Sequence, residues 1–491
     1  MKKIVPPITG LALSLTFLLG PGVSLAHPFV LPDAPDERAV GSWLGTLSIG
    51  GIELRIVFHI EHDSTGALTA TLDSPDQNAT GIPVAAVIVQ GDTLRLEVTV
   101  VGGVYEGMIG TDGSTVEGTW SQGGQTFPLA LERTEEEVAP PVRPQDPVEP
   151  YPYDAEDVAY DNAEAGITLA GTLTRPSSGG PFPAVVLISG SGPQDRDEAL
   201  LGHRPFLVLA DYLTRQGIAV LRFDDRGVAE STGDFGAATS EDFATDALAG
   251  VAYLKGRSEI DPAKIGLVGH SEGGLIAPIA AVASSDVAFI VLMAGPGVTG
   301  EEILYAQGAL ILRANGMSED GIARSREQQE FLFSILKTEP DSAAADQKIR
   351  AGMREQLATM SVEERQAAGI PDGDLESVID GQVRRINTPW FRYFLTYDPG
   401  PTLEQVTCPV LAVNGEKDLQ VPPKENLAAI EAALRHGGND DVTIVELKGL
   451  NHLFQTAETG APSEYPTIEE TFSPTALDVI GNWILKTTGE E

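Results

Sequence analysis

The sequence predicts a parallel α/β domain with a helical cap insertion, preceded by a small all-β domain. Near-continuous apolar runs such as "PAVVLIS" (183–189) and "AFIVLM" (288–293) alternate with helical patterns. Strands that are buried on both faces have this composition, and the helices between them are typical crossovers of a parallel sheet. Before residue 135, short β-rich runs are separated by turn residues without helical periodicity, which indicates a small antiparallel barrel or sandwich.

The N-terminus is typical of a secretory signal peptide. "MKK" is basic, "ITGLALSLTFLLG" is a short apolar segment, and small residues follow at Ser24 and Ala26. We expect residues 1–26 to be removed, leaving His27 first. The alternative is an uncleaved anchor, but the apolar run is short for a membrane span. We therefore expect an exported protein, periplasmic or secreted, without a stable membrane anchor.

Composition excludes several classes of partner. The chain has 491 residues and a formal net charge of −39, so its surface repels nucleic acid and anionic membranes. Cys408 is the only cysteine, which rules out an internal disulfide. In "HIEHD", His59, His62 and Asp63 could bind a metal, but we expect strand pairing to leave them solvated and predict no metal site.

Changes in composition predict four segments. After the signal peptide, residues 27–134 form the β domain. Residues 135–153 are rich in proline and acidic side chains and are typical of a semi-rigid linker. Residues 154–491 form the α/β domain. Within it, 299–400 contains helical segments and no strand, which indicates a cap over the carboxyl edge of the sheet.

The α/β domain is predicted to contain six buried strands and five helices outside the insertion. The strands are expected at 183–189, 218–223, 264–269, 288–293, 409–413 and 442–447, and the helices at 199–216, 240–256, 272–284, 424–436 and 475–487.

A serine lies at the carboxyl end of one predicted strand, where ligands and catalysis gather in parallel sheets. "VGHSEGG" places Ser271 directly after an apolar run and before the helical pattern "LIAPIAAVA". Gly269 and Gly273 provide the room that a nucleophile elbow, G-x-S-x-G, requires. The alternative is an ordinary glycine-rich turn. We predict that Ser271 is a nucleophile.

A serine nucleophile needs a base, and His452 is the predicted one. It follows the strand run 442–447 by five residues and therefore leaves the same sheet edge as Ser271. The other histidines have different expected positions: His27 at the mature terminus, His59 and His62 in the β domain, His203 before the first helix, His270 directed along the elbow, and His436 at the opposite edge.

An acid must orient the base, and Asp418 in "NGEKDLQVPP" is predicted to do so. It follows the run 409–413 by five residues, at the same edge and one strand before His452. Glu416 is the nearest rival. The resulting chain order is Ser271, Asp418, His452.

Backbone N–H groups of Glu272 and Ser191 are the predicted oxyanion hole. Ser191 lies in "GSGPQDRD" (190–197), directly after a strand; the alternative for this segment is a flexible turn. Three further residues are assigned to substrate binding: Gly192, Gln194 and Trp390. Trp390 belongs to the aromatic cluster "WFRYF", which either packs within the cap or forms a wall of the acyl pocket.

The motifs "GSGPQDRD", "FDDRG", "GHSEGG", "NGEKD" and "NH", together with "TPWFRYFLTYDP" (388–399), resemble bacterial α/β-hydrolase carboxylesterases. This group is related to the dienelactone-hydrolase and prolyl-oligopeptidase lineages, and the resemblance covers about 154–491. It implies a Ser-Asp-His triad, an acyl-enzyme, and a small-molecule ester substrate of short-to-medium acyl chain, without metal or organic cofactor. Dienelactone hydrolases use a cysteine nucleophile, and Ser271 departs from that pattern.

Two alternative functions stay open at this point. An aminopeptidase or amidase could use the same residues, although prolyl-oligopeptidases carry a propeller and the β domain here is not one. A polymer-binding protein with an inert hydrolase half is the other alternative. In "FDDRG", Asp224 and Arg226 could contact substrate, but we expect them to form a structural ion pair near the elbow.

Overall fold

A computed structural model of the chain describes residues 37–49, 52–77, 79–122, 125–360 and 375–490. The predicted signal peptide lies outside these residues. The chain divides into two compact units. The first contains the described residues up to Val142 and those from Asp346 to Arg385, and the second contains Arg143–Ala345 and the residues from Ile386 onward.

The N-terminal part of the first unit is a nine-stranded antiparallel sheet. Its strands are β1 (Gly41–Ile49), β2 (Ile52–His62), β3 (Leu68–Ser74), β4 (Ala79–Val84), β5 (Ala86–Gln90), β6 (Thr93–Val98), β7 (Gly103–Ile109), β8 (Thr115–Gln122) and β9 (Gln125–Thr134). Their order in the sheet is β4-β3-β2-β1-β9-β8-β7-β6-β5. The prediction of an all-β N-terminal domain is confirmed.

Alternate side chains of this sheet form one aromatic core. Trp43, Phe58 and Tyr105 are fully buried, and Trp120 is nearly so. The Phe58 ring lies 5.8 Å from that of Tyr105 and 6.3 Å from that of Trp120, between ring centroids. Because strand side chains point to opposite faces in turn, the neighbours of these four residues along their strands are half-buried or exposed, except for Val57, which is buried.

The second unit is built on an eight-stranded mixed sheet. Its strands are β10 (Asp154–Asn162), β11 (Ile167–Arg175), β12 (Phe182–Ile188), β13 (Ala219–Phe223), β14 (Ile260–His270), β15 (Phe289–Met293), β16 (Val410–Gly415) and β17 (Val442–Leu447). The order is β10-β11-β13-β12-β14-β15-β16-β17. Strands β12 to β17 are parallel, whereas β10 and β11 add an antiparallel edge that the sequence did not predict.

Helices cover both faces of this sheet. Outside the insertion they are α1 (Pro205–Arg215), α2 (Ser240–Lys255), α3 (Gly273–Ala283), α10 (Pro423–His436) and α11 (Pro474–Thr488). Consecutive residues of β12 belong to different cores: Val186 lies in the core that includes α2, α3 and α10, and Val185 lies in the core that includes α1 and α11. This three-layer arrangement explains why the strands are apolar on every residue.

The described residues between β15 and β16 form helices. They are α4 (Gly300–Ala314), α5 (Glu319–Thr338), α6 (Ser342–Thr359), α7 (Leu375–Ile386), α8 (Pro389–Thr396) and α9 (Gly400–Leu403). Capping boxes begin both α2 at Thr239 and α4 at Thr299, where each threonine pairs with an acidic residue three positions later. The predicted helical insertion is confirmed.

The last part of the proline-rich segment packs on the second unit, to which it belongs. The buried guanidinium of Arg143 donates to three backbone carbonyls, those of Leu201, Pro466 and Ile468. The side chain of Gln145 accepts from the backbone N–H groups of Thr471 and Phe472, at 2.6 and 3.0 Å. Hydrogen bonds therefore fix this segment to the loop that precedes α11.

Candidate active site

Ser271 occupies a strained turn between β14 and α3. Its φ of 53° lies in the left-handed region that non-glycine residues rarely adopt. Its backbone N–H donates to the Met293 carbonyl of the neighbouring strand β15 at 2.8 Å, which fixes the turn to the sheet. Strain of this kind persists where surrounding structure enforces it and is common at functional sites.

The glycines on either side of Ser271 are required by close backbone approach. A Cβ atom on Gly269 would lie 2.0 Å from the carbonyl oxygen of Gly273. A Cβ atom on Gly273 would lie 2.1 Å from the carbonyl oxygen of Ile188, in β12. The elbow is thus held between two strands, with Ser271 at the carboxyl edge of the sheet.

His452 and Asp418 form a buried pair at the same edge. Nδ1 of His452 lies 2.7 Å from Oδ2 of Asp418. The other carboxylate oxygen accepts from the backbone N–H groups of Gln420 and Val421, at 2.7 and 2.9 Å. An ionised Asp418 satisfies all three donors, so Nδ1 carries the hydrogen and Nε2 of His452 has its lone pair available. Glu416, the rival acid, instead accepts from the Gly449 N–H.

Strand order explains how three residues far apart in sequence reach one edge. Ser271, Asp418 and His452 follow β14, β16 and β17, which run parallel with β15 between the first two. The elbow and the histidine loop are also in direct contact. Nε2 of His270 lies 3.0 Å from the His452 carbonyl oxygen, and the two rings are 4.9 Å apart between centroids.

The loop after β12, which carries the predicted oxyanion residue Ser191, is fixed at both ends. A Cβ atom on Gly190 would lie 3.2 Å from Cβ of Ser271, so the loop passes beside the nucleophile. Further along, the Gln194 N–H donates to the carboxylate of Asp225 at 2.9 Å, and the Gln194 carbonyl accepts from the Asp225 N–H.

Ser191 and Gly192 lie between these fixed points and are half-buried. Gly192 has a φ of 98°, in the region that favours glycine. These contacts disfavour the alternative of a flexible turn for this segment, because its backbone passes beside the elbow and is hydrogen-bonded to Asp225, two residues after β13.

The side chain of Glu272, as well as its backbone, takes part in the structure of the site. Its buried carboxylate oxygen Oε1 accepts from Oγ of Ser240 at 2.6 Å and from Nε1 of Trp390 at 2.7 Å. Burial raises the pKa of Glu272 to about 7, and the two hydrogen bonds only partly oppose it. Trp390 also stacks on Phe394 within α8, at 5.4 Å between centroids. The side-chain contact to Trp390 was not predicted from the sequence.

The predicted ion pair between Asp224 and Arg226 is wrong. Asp224 pairs with Arg196 at 2.6 Å, and Arg226 pairs with Asp246 of α2 at 2.7 Å. After the end of β13 the two side chains point to different neighbours, and each buried charge pairs with an oppositely charged side chain of another segment. Both pairs still fix the loops beside the elbow, which is the structural role expected of the motif.

A mixed sheet crossed by helices on both faces, with a serine elbow and a buried Asp–His pair at its carboxyl edge, defines an α/β-hydrolase. The X-Pro dipeptidyl-peptidase family (S15) matches residues 165–448, more than half of the chain. The chain belongs to this family and is a hydrolase. The predicted fold, including the all-β domain ahead of the hydrolase, is confirmed.

Individual relatives share only a low sequence identity with this chain. Esterase EstD of Thermotoga maritima is 26% identical over 343 residues, which cover 70% of this chain and 70% of that protein. An esterase structure from Pyrococcus furiosus is 15% identical with a TM-score of 0.41, covering 68% of this chain and 91% of that one. Est1E of Butyrivibrio proteoclasticus is 18% identical with a TM-score of 0.38, covering 68% and 98%.

Proposed function

We propose that the protein hydrolyses carboxylic esters of short-to-medium acyl chain through a Ser271–His452–Asp418 triad. The observation that carries this proposal is the buried pair of His452 and Asp418 at the sheet edge where Ser271 forms the elbow. The pair leaves Nε2 of His452 as the proton acceptor that a serine nucleophile needs. The name of the Thermotoga maritima relative, an esterase, supports an ester as substrate.

The proposed reaction has two acyl-transfer steps. Oγ of Ser271 attacks the ester carbonyl carbon while Nε2 of His452 takes the serine proton. Backbone N–H groups of Glu272 and Ser191 stabilise the oxyanion of the tetrahedral intermediate. The imidazolium, held by Asp418, then protonates the leaving alcohol. Water attacks the acyl-enzyme in the second step, with His452 again accepting and returning the proton.

The main test compares wild type with Ser271→Ala on p-nitrophenyl acetate and butyrate. We expect loss of about 10³-fold or more in kcat, with only binding and oxyanion stabilisation left. Ser258→Ala changes an exposed serine and is the matched control, expected to retain full activity. Fluorophosphonate should label wild type and the control but not Ser271→Ala. Equal hydrolysis by wild type and Ser271→Ala would refute the proposal.

An amide-cleaving activity is the second candidate, and the family match favours it, since the family is described as X-Pro dipeptidyl-peptidases. The same triad can cleave amides if His452 protonates the leaving amine. A panel of Xaa-Pro-anilides and aminoacyl-anilides beside the short esters separates the two. A kcat/KM for any anilide above that for the esters would assign the enzyme to peptides instead.

We also propose that the protein is exported after cleavage at Ala26. The basic, apolar and small-residue regions of 1–26 support this proposal. In the part of the chain that the structure describes, no helix is both long and apolar enough to cross a membrane. Mass spectrometry of the protein from fractionated cells tests it: the mature chain should begin at His27 and be found outside the cytoplasm.

A further inference from the structure

A second buried pair of a histidine and a carboxylate, His270 and Glu198, lies directly beside the proposed triad. His270, the residue before Ser271, has Nδ1 2.8 Å from Oε1 of Glu198 and Nε2 3.0 Å from the His452 carbonyl oxygen. The same Oε1 atom accepts the backbone N–H of Gly190 at 2.7 Å. One carboxylate therefore joins the oxyanion loop to the elbow, and His270 carries the connection on to the histidine loop.

Glu198 reaches this position through an unusual backbone. Its φ is 51°, again in the left-handed region. The turn is closed by Asp195, whose carbonyl accepts the Glu198 N–H and whose carboxylate accepts the N–H groups of Asp197 and Ala199. A strained non-glycine residue that places a buried carboxylate against the elbow indicates a functional requirement rather than a random turn.

The contacts limit the proton arrangements of His270 to two. A carbonyl oxygen can only accept, so Nε2 of His270 must donate to His452. Oε1 of Glu198 accepts the Gly190 N–H, and if it also accepts from Nδ1, both ring nitrogens carry hydrogen and His270 is an imidazolium beside an ionised Glu198. The alternative arrangement keeps His270 neutral and places the proton on Glu198.

The charges around His270 favour the imidazolium. Burial alone disfavours the charged ring, but the Glu198 carboxylate, the His452 carbonyl and the charge of Asp418 outweigh it, so the pKa of His270 is raised above its ordinary value. Besides Glu198, the groups that act on His270 are the His452 carbonyl and the charge of Asp418, and Asp195 interacts electrostatically with Glu198.

We propose that Glu198 and His270 are positioning residues for hydrolysis: the ionised pair fixes the His452 loop and the oxyanion loop, and its imidazolium disfavours a second positive charge on His452. This inference depends on the proposed role of His452 as general base. The positive ring lies nearer to His452 than the carboxylate does, because His270 stands between them.

Nitrogen NMR of the full chain with labelled histidine tests the protonation state without any activity measurement. The ring signals of His270 are assigned by their loss in His270→Gln. We expect both ring nitrogens of His270 to stay protonated from pH 6 to pH 8. A single protonated nitrogen at pH 7 would place the proton on Glu198 or remove it from the pair, and would overturn the proposal.

Kinetics of Glu198→Gln test the effect on the base. On p-nitrophenyl butyrate we expect kcat to fall about tenfold or more, because the two loops lose their common anchor, with KM changed less. The acid limb of the pH profile of kcat/KM should move to higher pH by about half a unit or more, since His270 loses its positive charge together with its carboxylate partner.

Asp246→Asn is the matched control, because its carboxylate is also buried beside a cation, Arg226, in the same unit. A purely structural role would change kcat in both variants and move neither acid limb. An unmoved limb in folded Glu198→Gln would therefore overturn the proposal, and if this variant does not fold, the NMR measurement on wild type still decides it. Activity retained by Ser271→Ala would instead refute the proposed function alone.

Discussion

Oε1 of Glu272 accepts a hydrogen bond from Nε1 of Trp390 at 2.7 Å, so the residue that follows the nucleophile also holds a helix of the insertion. The carboxylate is fully buried and has a second donor in Ser240 of α2. The elbow, α2 and α8 therefore meet at one carboxyl group. A substitution at Glu272 changes the titration of the site while the neighbouring backbone N–H can remain in place.

Replacing Glu272 with glutamine should make the enzyme more stable at alkaline pH. The pKa of Glu272 is raised to about 7 by burial, from 4.5, so between these values the folded state binds more protons than the unfolded state. The free energy of unfolding therefore falls as pH rises through this window. Above pH 8, ionisation of the buried Glu272 lowers it by the full amount, about 3 kcal/mol. Glutamine mimics the protonated acid and removes this cost.

Urea unfolding at pH 5 and pH 8 measures this effect. Glu272→Gln and wild type should be similar at pH 5, and the variant should be more stable at pH 8 by about 1–3 kcal/mol. Glu446→Gln, at an exposed position of β17, is the control and should follow wild type at both values. A variant that gains nothing between pH 5 and pH 8 would show that Glu272 is ionised in the folded protein at neutral pH.

Asp418→Asn should reduce kcat by about 10³–10⁴-fold. Asp418 lies 2.7 Å from Nδ1 of His452 and accepts two backbone N–H groups with its other oxygen. An amide can keep those backbone contacts but can present N–H to Nδ1, which favours the wrong tautomer of His452. Steady-state kinetics on p-nitrophenyl butyrate measure the loss. Glu416→Gln alters the rival acid and should retain kcat within a few-fold; the opposite ranking would assign the orienting role to Glu416.

Gly269→Ala should destabilise the hydrolase unit by about 3 kcal/mol or more. The added Cβ atom would lie 2.0 Å from the Gly273 carbonyl oxygen, and backbone on both sides of the elbow would have to move. Gly256→Ala, at the end of α2, meets its nearest atom at 3.4 Å and has an ordinary helical φ. Urea unfolding followed at the helical circular dichroism band should separate the two variants. Equal stability would mean that the elbow can relax around a methyl group.

The buried strands of the hydrolase sheet could be predicted because short continuous apolar runs between helical patterns are typical of strands that are buried on both faces. The run at 288–293 became Phe289–Met293, with every residue buried. The strand Asp154–Asn162 was missed for the opposite reason. It lies at a sheet edge, where only the alternate positions Val158, Tyr160 and Asn162 are buried, and the rest of the strand is largely acidic and exposed. An alternating edge strand next to a proline-rich segment carries a much weaker signal than a continuous apolar run.

Site residues could be predicted where strand order alone places them. Asp418 and His452 each follow a parallel strand, so their common edge followed from topology. The partnership of Glu198 and His270 could not be predicted, since it joins residues 72 positions apart through a left-handed backbone conformation. Nor does the sequence indicate that Arg143, in a segment typical of solvated linkers, is buried.

Arg143→Ala should destabilise the hydrolase unit by about 2–4 kcal/mol, although it lies more than 100 residues before the elbow. Its guanidinium donates to the buried carbonyl of Leu201 and to the partly buried carbonyls of Pro466 and Ile468, and alanine leaves all three without this donor. Arg435→Ala removes an exposed arginine paired with Glu431 one helical turn away and should change stability by about 0.5 kcal/mol or less. Urea unfolding of both variants makes the comparison. If both variants lose the same free energy of unfolding, the hydrogen bonds of Arg143 do not stabilise the hydrolase unit, and the segment that begins there behaves as a flexible linker.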